Sequence, residues 1–152
     1  MAKTPTRRSK PAAPASRFVL DCSVVFAWYF ADESNDYADA VATSLIKSAA
    51  LVPALWALEV ANTLLMGERR GRSTAPQASA FLARLASLPI TLEDQTVTAA
   101  WSGALAIARD HQLSAYDAAY LELALREGLP LATLDTKLRA AAKALGIKRH
   151  GP

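Results

Sequence analysis

Apolar residues in this chain fall into short runs and one-sided helical stripes, each stopped by a polar or turn-forming residue. The first stretch, MAKTPTRRSKPAAPAS, has no apolar period and is rich in Pro, Ala, Ser and charge, so residues 1–17 read as a disordered basic leader ahead of one folded domain over 18–150. RFVLD then predicts a short buried strand ending on an acid and feeding an apolar helix to Phe30. ADESND is a turn, and Ser34 or Asn35 can cap a helix running to about Ala50. LVP is a strand stopped by Pro53, and a helix follows from Leu55 to about Arg70.

Gly71 centres the turn RRGRS, and Ser73 opens a helix with Pro76 in its first turn that ends before Pro89. ITLE is a strand, and a helix covers Thr96 to Asp110. Ser114 opens the next helix, which Gly128 closes. LPLATLD is a strand ending on a second acid, the last helix runs from Thr136 to Leu145, and IKRH offers an edge strand. Short apolar strands alternating with helices imply an α/β fold with a parallel sheet covered on both faces.

At 152 residues and 52% apolar, the chain has enough material for one well-buried core. No apolar run reaches the roughly 18 residues of a membrane span, and no apolar stretch follows the basic N-terminus as in a secretory signal. The single cysteine, Cys22, excludes an internal disulfide framework, suits a reducing cytoplasm and reads as a small core filler. The net charge of +3 belongs to the leader, because removing its five cations leaves 12 basic residues against 14 acids, a net of −2. A basic tail attracts nucleic acid or acidic partners without specificity, and equally serves as a solubilising leader.

LWALEVANTLLM contains a single ionisable residue, Glu59, within a helix that otherwise looks made for burial. A carboxylate away from water costs several kcal/mol unless it is paired, metal-bound or protonated. In sheets of this kind ligands gather at the carboxyl ends of strands. Asp21 and Asp135 end strands, Asp117 lies in the first turn of the Ser114 helix, and Glu59 is on the helix after the second strand.

Each acid has a bland alternative. Asp135 can cap the helix TKLRAAAKAL, Asp117 can complete a box with Ser114 or favour the helix dipole, Asp21 can be a turn residue, and Glu59 can lie on a solvated edge. Jointly they say more. Two like charges about 4 Å apart cost roughly 4 kcal/mol at an effective dielectric near 20, so clusters of this kind are kept mainly to hold a hard divalent cation. Oxygen ligands favour Mg²⁺ or Mn²⁺ over Zn²⁺, and neither His111 nor His150 pairs with Cys22 at zinc spacing. No Gly-rich phosphate loop or nucleophile motif is present.

FVLDCSVVFAWYFADES, VPALWALEVANTL, LSAYDAAYLELA and LATLDTKLRAAAKALG resemble, in order, the four acidic motifs of PIN-domain ribonucleases, with the closest likeness to VapC-type toxins of bacterial toxin–antitoxin pairs. The resemblance runs from about Phe18 to Ile147. It implies a three-layer α/β/α PIN-like fold with a short central parallel sheet, and Mg²⁺- or Mn²⁺-dependent endonucleolytic cleavage of RNA. Asp21, Glu59, Asp117 and Asp135 match the family's metal-binding and catalytic acids, and Ser23, Asn62 and Thr133 match supporting polar positions. It further implies a cognate VapB-type antitoxin, a homodimer and a cytoplasmic location.

Cationic candidates for holding phosphates are Arg69, Arg70 and Arg72 at the turn and Lys137, Arg139 and Lys143 after Asp135, most of which also fit solvated helix faces. Trp28 to Phe30 can stack bases but equally fit core or dimer surface. A receiver-like phosphotransfer domain lacks its late strand-end lysine here, and a DxD phosphatase fails because Ser23 stands where its second Asp belongs. A non-catalytic PIN-like binding module that associates with a regulatory partner remains the alternative.

Overall fold

Phe18, Val19 and Leu20 are completely buried on both faces of the first strand, as an interior strand of a parallel sheet requires. The computed structural model describes residues 16–151. Strand β1 spans Ser16–Leu20, so Ser16 and Arg17, expected in the leader, form its first two positions. Residues 1–15 of that leader lie outside the described residues.

Helix α1 (Cys22–Tyr29) and a 3₁₀ turn (Ala31–Glu33) lead to α2 (Asp36–Ser44). Asn35 caps α2 by accepting the Ala38 N–H at 3.0 Å. Trp28 donates its indole N–H to the Ala38 carbonyl at 2.8 Å, and Phe30 is buried, so this aromatic run belongs to packing. The helix stops six residues short of the expected Ala50, and strand β2 takes Ser48–Val52. Alanine favours helix, but pairing of Ala49 and Ala50 with Arg17 and Phe18 outweighs that weak local preference. Hydroxyls also close the helix end, Ser44 donating to the Val41 carbonyl and Ser48 to the Ser44 carbonyl.

Helix α3 (Trp56–Arg69) is followed by α4 (Ala75–Ala86), whose capping box is formed by Thr74 and Gln77, one residue later than the expected Ser73 opening. Strand β3 (Ile90–Leu92) precedes α5 (Thr96–Ala99), a π-helical turn (Ala100–Ala104) and α6 (Leu105–His111), so the expected single helix is interrupted by a wider turn. Gly103 permits this turn to lie against the next helix, since a Cβ there would stand 3.0 Å from Glu122 Cγ. Helix α7 (Ala115–Glu127), strand β4 (Leu131–Ala132) and helix α8 (Thr136–Ala144) complete the chain. A single parallel bridge from Arg149 to Leu131 is what the expected C-terminal edge strand amounts to.

All pairings are parallel, in the order β3-β2-β1-β4. The chain moves outward from β1 to β2 to β3 and then returns across the sheet to β4. With right-handed crossovers this puts α1 to α4 on one face and α5 to α7 on the other, giving three layers. The direction of travel reverses between β1 and β4, which makes their carboxyl ends the topological switch point where such sheets place a ligand crevice.

At the far edge Glu93, just after β3, is buried and accepts from Arg126 Nη1 at 3.1 Å, Thr96 Oγ1 at 2.9 Å and the Gln95 N–H at 2.6 Å. Burial pushes the Glu93 carboxyl up, but the Arg126, Gln95 and Thr96 hydrogen bonds outweigh it and hold it below the usual carboxylate range. Arg126 also grips Glu122 at 2.8 Å, which ties the end of β3 to α7.

Candidate functional site

Asp21 is the first residue beyond β1, at the crevice, and it is buried with 7% of its surface exposed. Its Oδ2 accepts the Ser23 hydroxyl at 2.5 Å and the Thr133 hydroxyl at 2.7 Å. Ser23 in turn accepts the Leu134 N–H at 2.9 Å, and Thr133 accepts the Asp135 N–H at 3.0 Å. A chain of hydroxyls thus fixes the Asp21 carboxylate to the loop after β4. Burial raises the Asp21 carboxyl, the Ser23 and Thr133 hydrogen bonds pull it back, and the charge of Asp117 adds to the rise, leaving it above the ordinary carboxylate value.

Glu59 sits in the first turn of α3 and is half-buried. Tyr120, completely buried on α7, donates its hydroxyl to Glu59 Oε2. Cys22 Sγ lies 3.3 Å from the same hydroxyl and 3.5 Å from Glu59 Oε2. Burial raises the Glu59 carboxyl; the Tyr120 and Cys22 hydrogen bonds lower it, the charges of Asp21 and Asp117 raise it, and the balance is upward. Burial also pushes the Cys22 thiol up, which keeps it protonated and unreactive.

Asp117, in the first turn of α7, has its N–H held by the Ser114 cap at 3.0 Å and is partly exposed. Its charge acts on both Asp21 and Glu59, so these three acids share one electrostatic neighbourhood. Asp135 stands differently. Its carboxylate Oδ1 accepts the Leu138 N–H at 2.7 Å as the cap of α8, and among the described residues its only hydrogen-bonded link to the other acids runs through Thr133 to Asp21. Asn62 is exposed on α3 and, among the described residues, has no side-chain hydrogen bond to any acid.

Tyr120 and the position of Cys22 are what sequence reading missed. The available signal was the i,i+3 spacing of Asp117 and Tyr120, which puts both on one face, together with the rule that a buried tyrosine finds a partner for its hydroxyl. Arg72, counted among possible phosphate holders, is occupied by Asp32 and Glu33 at 2.9 and 2.8 Å and stacks over Phe30. His150 stacks on Phe18 and bonds the Ser44 hydroxyl, a packing arrangement.

Among the described residues, no three His, Cys, Asp or Glu side chains are drawn tightly enough to enclose a metal ion. The donor set is nevertheless all oxygen, with two carboxylates raised first by burial and then by neighbouring negative charge. That fits a cation of the Mg²⁺ type, which keeps several waters and needs only one or two direct carboxylates.

The PIN domain family model matches residues 18–144. The chain is 33% identical over 129 residues to Ribonuclease VapC3 of Pyrobaculum aerophilum, covering 85% of this chain and 97% of that protein. It is 31% identical over 136 residues to Ribonuclease VapC3 of Mycobacterium tuberculosis, covering 88% and 93%. The crystal structure of PAE2754 from Pyrobaculum aerophilum superposes with a TM-score of 0.61 at 27% identity, covering 90% of this chain and 88% of that one.

Proposed function

The chain belongs to the PIN-domain family, with VapC-type ribonucleases as its relatives, and from this we propose that it is a Mg²⁺- or Mn²⁺-dependent endoribonuclease acting as the toxin of a type II toxin–antitoxin pair. The observation that supports the reading is Asp21, buried just beyond β1, with Glu59 and Asp117 in its electrostatic neighbourhood, Asp21 and Glu59 being held above the ordinary carboxylate range first by burial.

One or two of Asp21, Glu59 and Asp117 would touch the cation and the others would hold its waters, with Asp135 contributing through the loop that Thr133 joins to Asp21. When bound, the cation supplies an easier deprotonation of water and a counter-charge for the scissile phosphate. Ser23 and Thr133 hold one face of the Asp21 carboxylate. Tyr120 holds one oxygen of Glu59, which leaves the other to orient the cation or the attacking water. Attack in line with the leaving 3′ oxygen leaves a 5′-phosphate and a 3′-hydroxyl.

A VapB-type antitoxin is the proposed regulatory partner, since an acidic crevice suits a basic peptide segment. A homodimer is proposed as well, with the exposed side chains of Leu58, Val97 and Trp101 as candidates for its contact. No helix among the described residues is long and apolar enough to cross a membrane, and a cytoplasmic location is proposed with the RNA substrate.

The deciding experiment incubates the purified, antitoxin-free protein with total RNA in Mg²⁺, Mn²⁺ or excess EDTA and maps new 5′ ends. Discrete cuts bearing 5′-phosphate and abolished by EDTA are expected. Intact RNA under every condition, from protein shown to be folded, would replace this reading with the non-catalytic binding module. Cuts that resist EDTA and leave cyclic phosphates would replace it with metal-free chemistry.

A further inference from the structure

Tyr120 reaches Glu59 from α7, so its direction marks the side of that helix which looks toward the acids. Asp117 and Tyr116, three and four residues before it, stand on that same side, one turn nearer the helix N-terminus. Ser114, Ala115 and Tyr116 are all exposed, so this end of α7 opens to solvent. Helical side chains lean toward the N-terminus, which puts the Tyr116 ring outward of the Tyr120 hydroxyl by about 5 Å along the axis. The two tyrosines differ in environment. Tyr120 is completely buried, whereas Tyr116 keeps 67% of its surface exposed, and its hydroxyl has no hydrogen bond among the described residues.

The other aromatic side chains that sequence offered for stacking are taken up in packing. Trp28 donates to the Ala38 carbonyl, Tyr29 lies against Phe81 with ring centroids 4.7 Å apart, and Phe30 carries the Arg72 guanidinium. Tyr116 is left in water, next in the chain to Asp117. Carboxylates repel the phosphates of a strand, and a bound cation offsets that repulsion only close to itself. A neutral π-face attracts a nucleobase without adding to the repulsion, and it does so for every base. A protein contact makes less use of this position. Leu125, the other large exposed apolar side chain on α7, lies about 13 Å further along the axis, so the ring extends no apolar patch on its own helix.

We propose that Tyr116 is a base-stacking residue, holding an unpaired nucleobase beside the phosphate that is cut. The inference rests on the ribonuclease reading and adds a substrate contact to it. Bases within a duplex cover their π-faces with their neighbours, so the contact selects single-stranded RNA without selecting among bases.

The test measures binding of two labelled probes of equal length, a random-sequence single-stranded RNA and a ribose-phosphate strand without bases, to the full chain carrying Asp21→Asn in Mg²⁺. Tyr116→Ala, Tyr116→Phe and, as a control at the other end of α7, Leu125→Ala are each added to that background. Both positions are exposed, and circular dichroism and melting temperature check folding. Tyr116→Ala is expected to bind the RNA about tenfold more weakly and the abasic strand within about twofold of the parent. Tyr116→Phe keeps the ring and should keep the RNA affinity within about twofold, as should Leu125→Ala.

Equal RNA affinity in Tyr116→Ala and its parent, no RNA binding at all, or a loss matched on the abasic strand or in Tyr116→Phe would each overturn the stacking contact. Metal-dependent cleavage of total RNA by the chain with Asp21 would still keep the ribonuclease reading intact. A Tyr116→Ala chain that binds RNA normally but sediments as a monomer where its parent is a dimer would overturn stacking in favour of a protein contact. RNA neither bound by the Asp21→Asn chain nor cut by the chain with Asp21 would overturn both readings.

Discussion

The Tyr120 hydroxyl, buried on α7, donates to the Glu59 carboxylate on α3, and this bond joins two elements that cover opposite faces of the sheet. It accounts for a carboxylate inside an apolar helix. One Glu59 oxygen is neutralised by a donor that never meets solvent, and the other is free to face the crevice. Tyr120→Phe keeps the ring and its packing and removes only the donor. Loss of the bond is expected to destabilise the fold by about 1–2 kcal/mol and to weaken Mn²⁺ binding by 10- to 100-fold. Urea unfolding and calorimetric titration with Mn²⁺ measure the two effects. Unchanged Mn²⁺ affinity would reduce Tyr120 to a packing residue.

Asp21 and Glu59 carry a pH signature. Both have carboxyls raised in the folded protein, by burial first and then by neighbouring charge. A raised folded value means that their contribution to stability is fully present below the unfolded carboxylate pKa and is lost as pH rises through the folded value. In EDTA the protein is therefore expected to lose stability as the pH climbs out of the acid range, and Mg²⁺ should restore it near neutrality. Asp21→Asn removes the charge that burial penalises. It should melt higher than the unsubstituted protein at neutral pH in EDTA, while its cleavage rate falls by about 100-fold or more. A lower melting temperature for Asp21→Asn would show that the hydroxyls of Ser23 and Thr133 need an ionised partner.

Glu93 and Arg126 give the opposite sign. Burial raises the Glu93 carboxyl, but Arg126, Gln95 and Thr96 hold it below its ordinary value, so its stabilising effect is present above the unfolded pKa and is lost as pH falls through the folded one. Arg126→Met strands a buried carboxylate and should cost about 3 kcal/mol at neutral pH, less in acid where Glu93 protonates. Chemical unfolding at two pH values tests both statements. Cleavage per folded molecule should be unchanged, because this lock lies at the β3 edge and not at the β1–β4 crevice.

The parallel sheet covered on both faces and the elements that carry Asp21, Glu59 and Asp117 were legible in the sequence because each rests on a local pattern: an apolar run ending on Asp21, a cap at Ser114, an acid within LWALEVANTLLM. What the sequence withheld depends on contacts far along the chain. The end of α2 is set by pairing of Ala49 and Ala50 with β1, which no alanine-rich window reveals. The π-helical turn lies where Gly103 comes close against Glu122, 19 residues further along the chain. Tyr120 and Cys22 meet Glu59 across 61 and 37 residues of chain. Asn62 shows the reverse limit: helical spacing puts it one turn from Glu59, yet its side chain is exposed and bonds to none of the acids.

Asp135 holds two roles that one substitution pattern can separate. Its carboxylate caps α8 by accepting the Leu138 N–H, and its N–H leans on Thr133, which holds Asp21. Asn is as good a helix cap as Asp but carries no charge, whereas Ala is a poor cap, costing about 1 kcal/mol. Asp135→Asn should therefore keep the stability within a few tenths of a kcal/mol, and Asp135→Ala should lose about 1 kcal/mol. If the carboxylate also serves the cation, both variants lose cleavage to a similar extent, about 10- to 100-fold, although only one is destabilised. Thermal unfolding alongside cleavage of a fixed RNA decides it. Full activity in Asp135→Asn would assign Asp135 to the helix alone and leave Asp21, Glu59 and Asp117 as the whole of the acidic site.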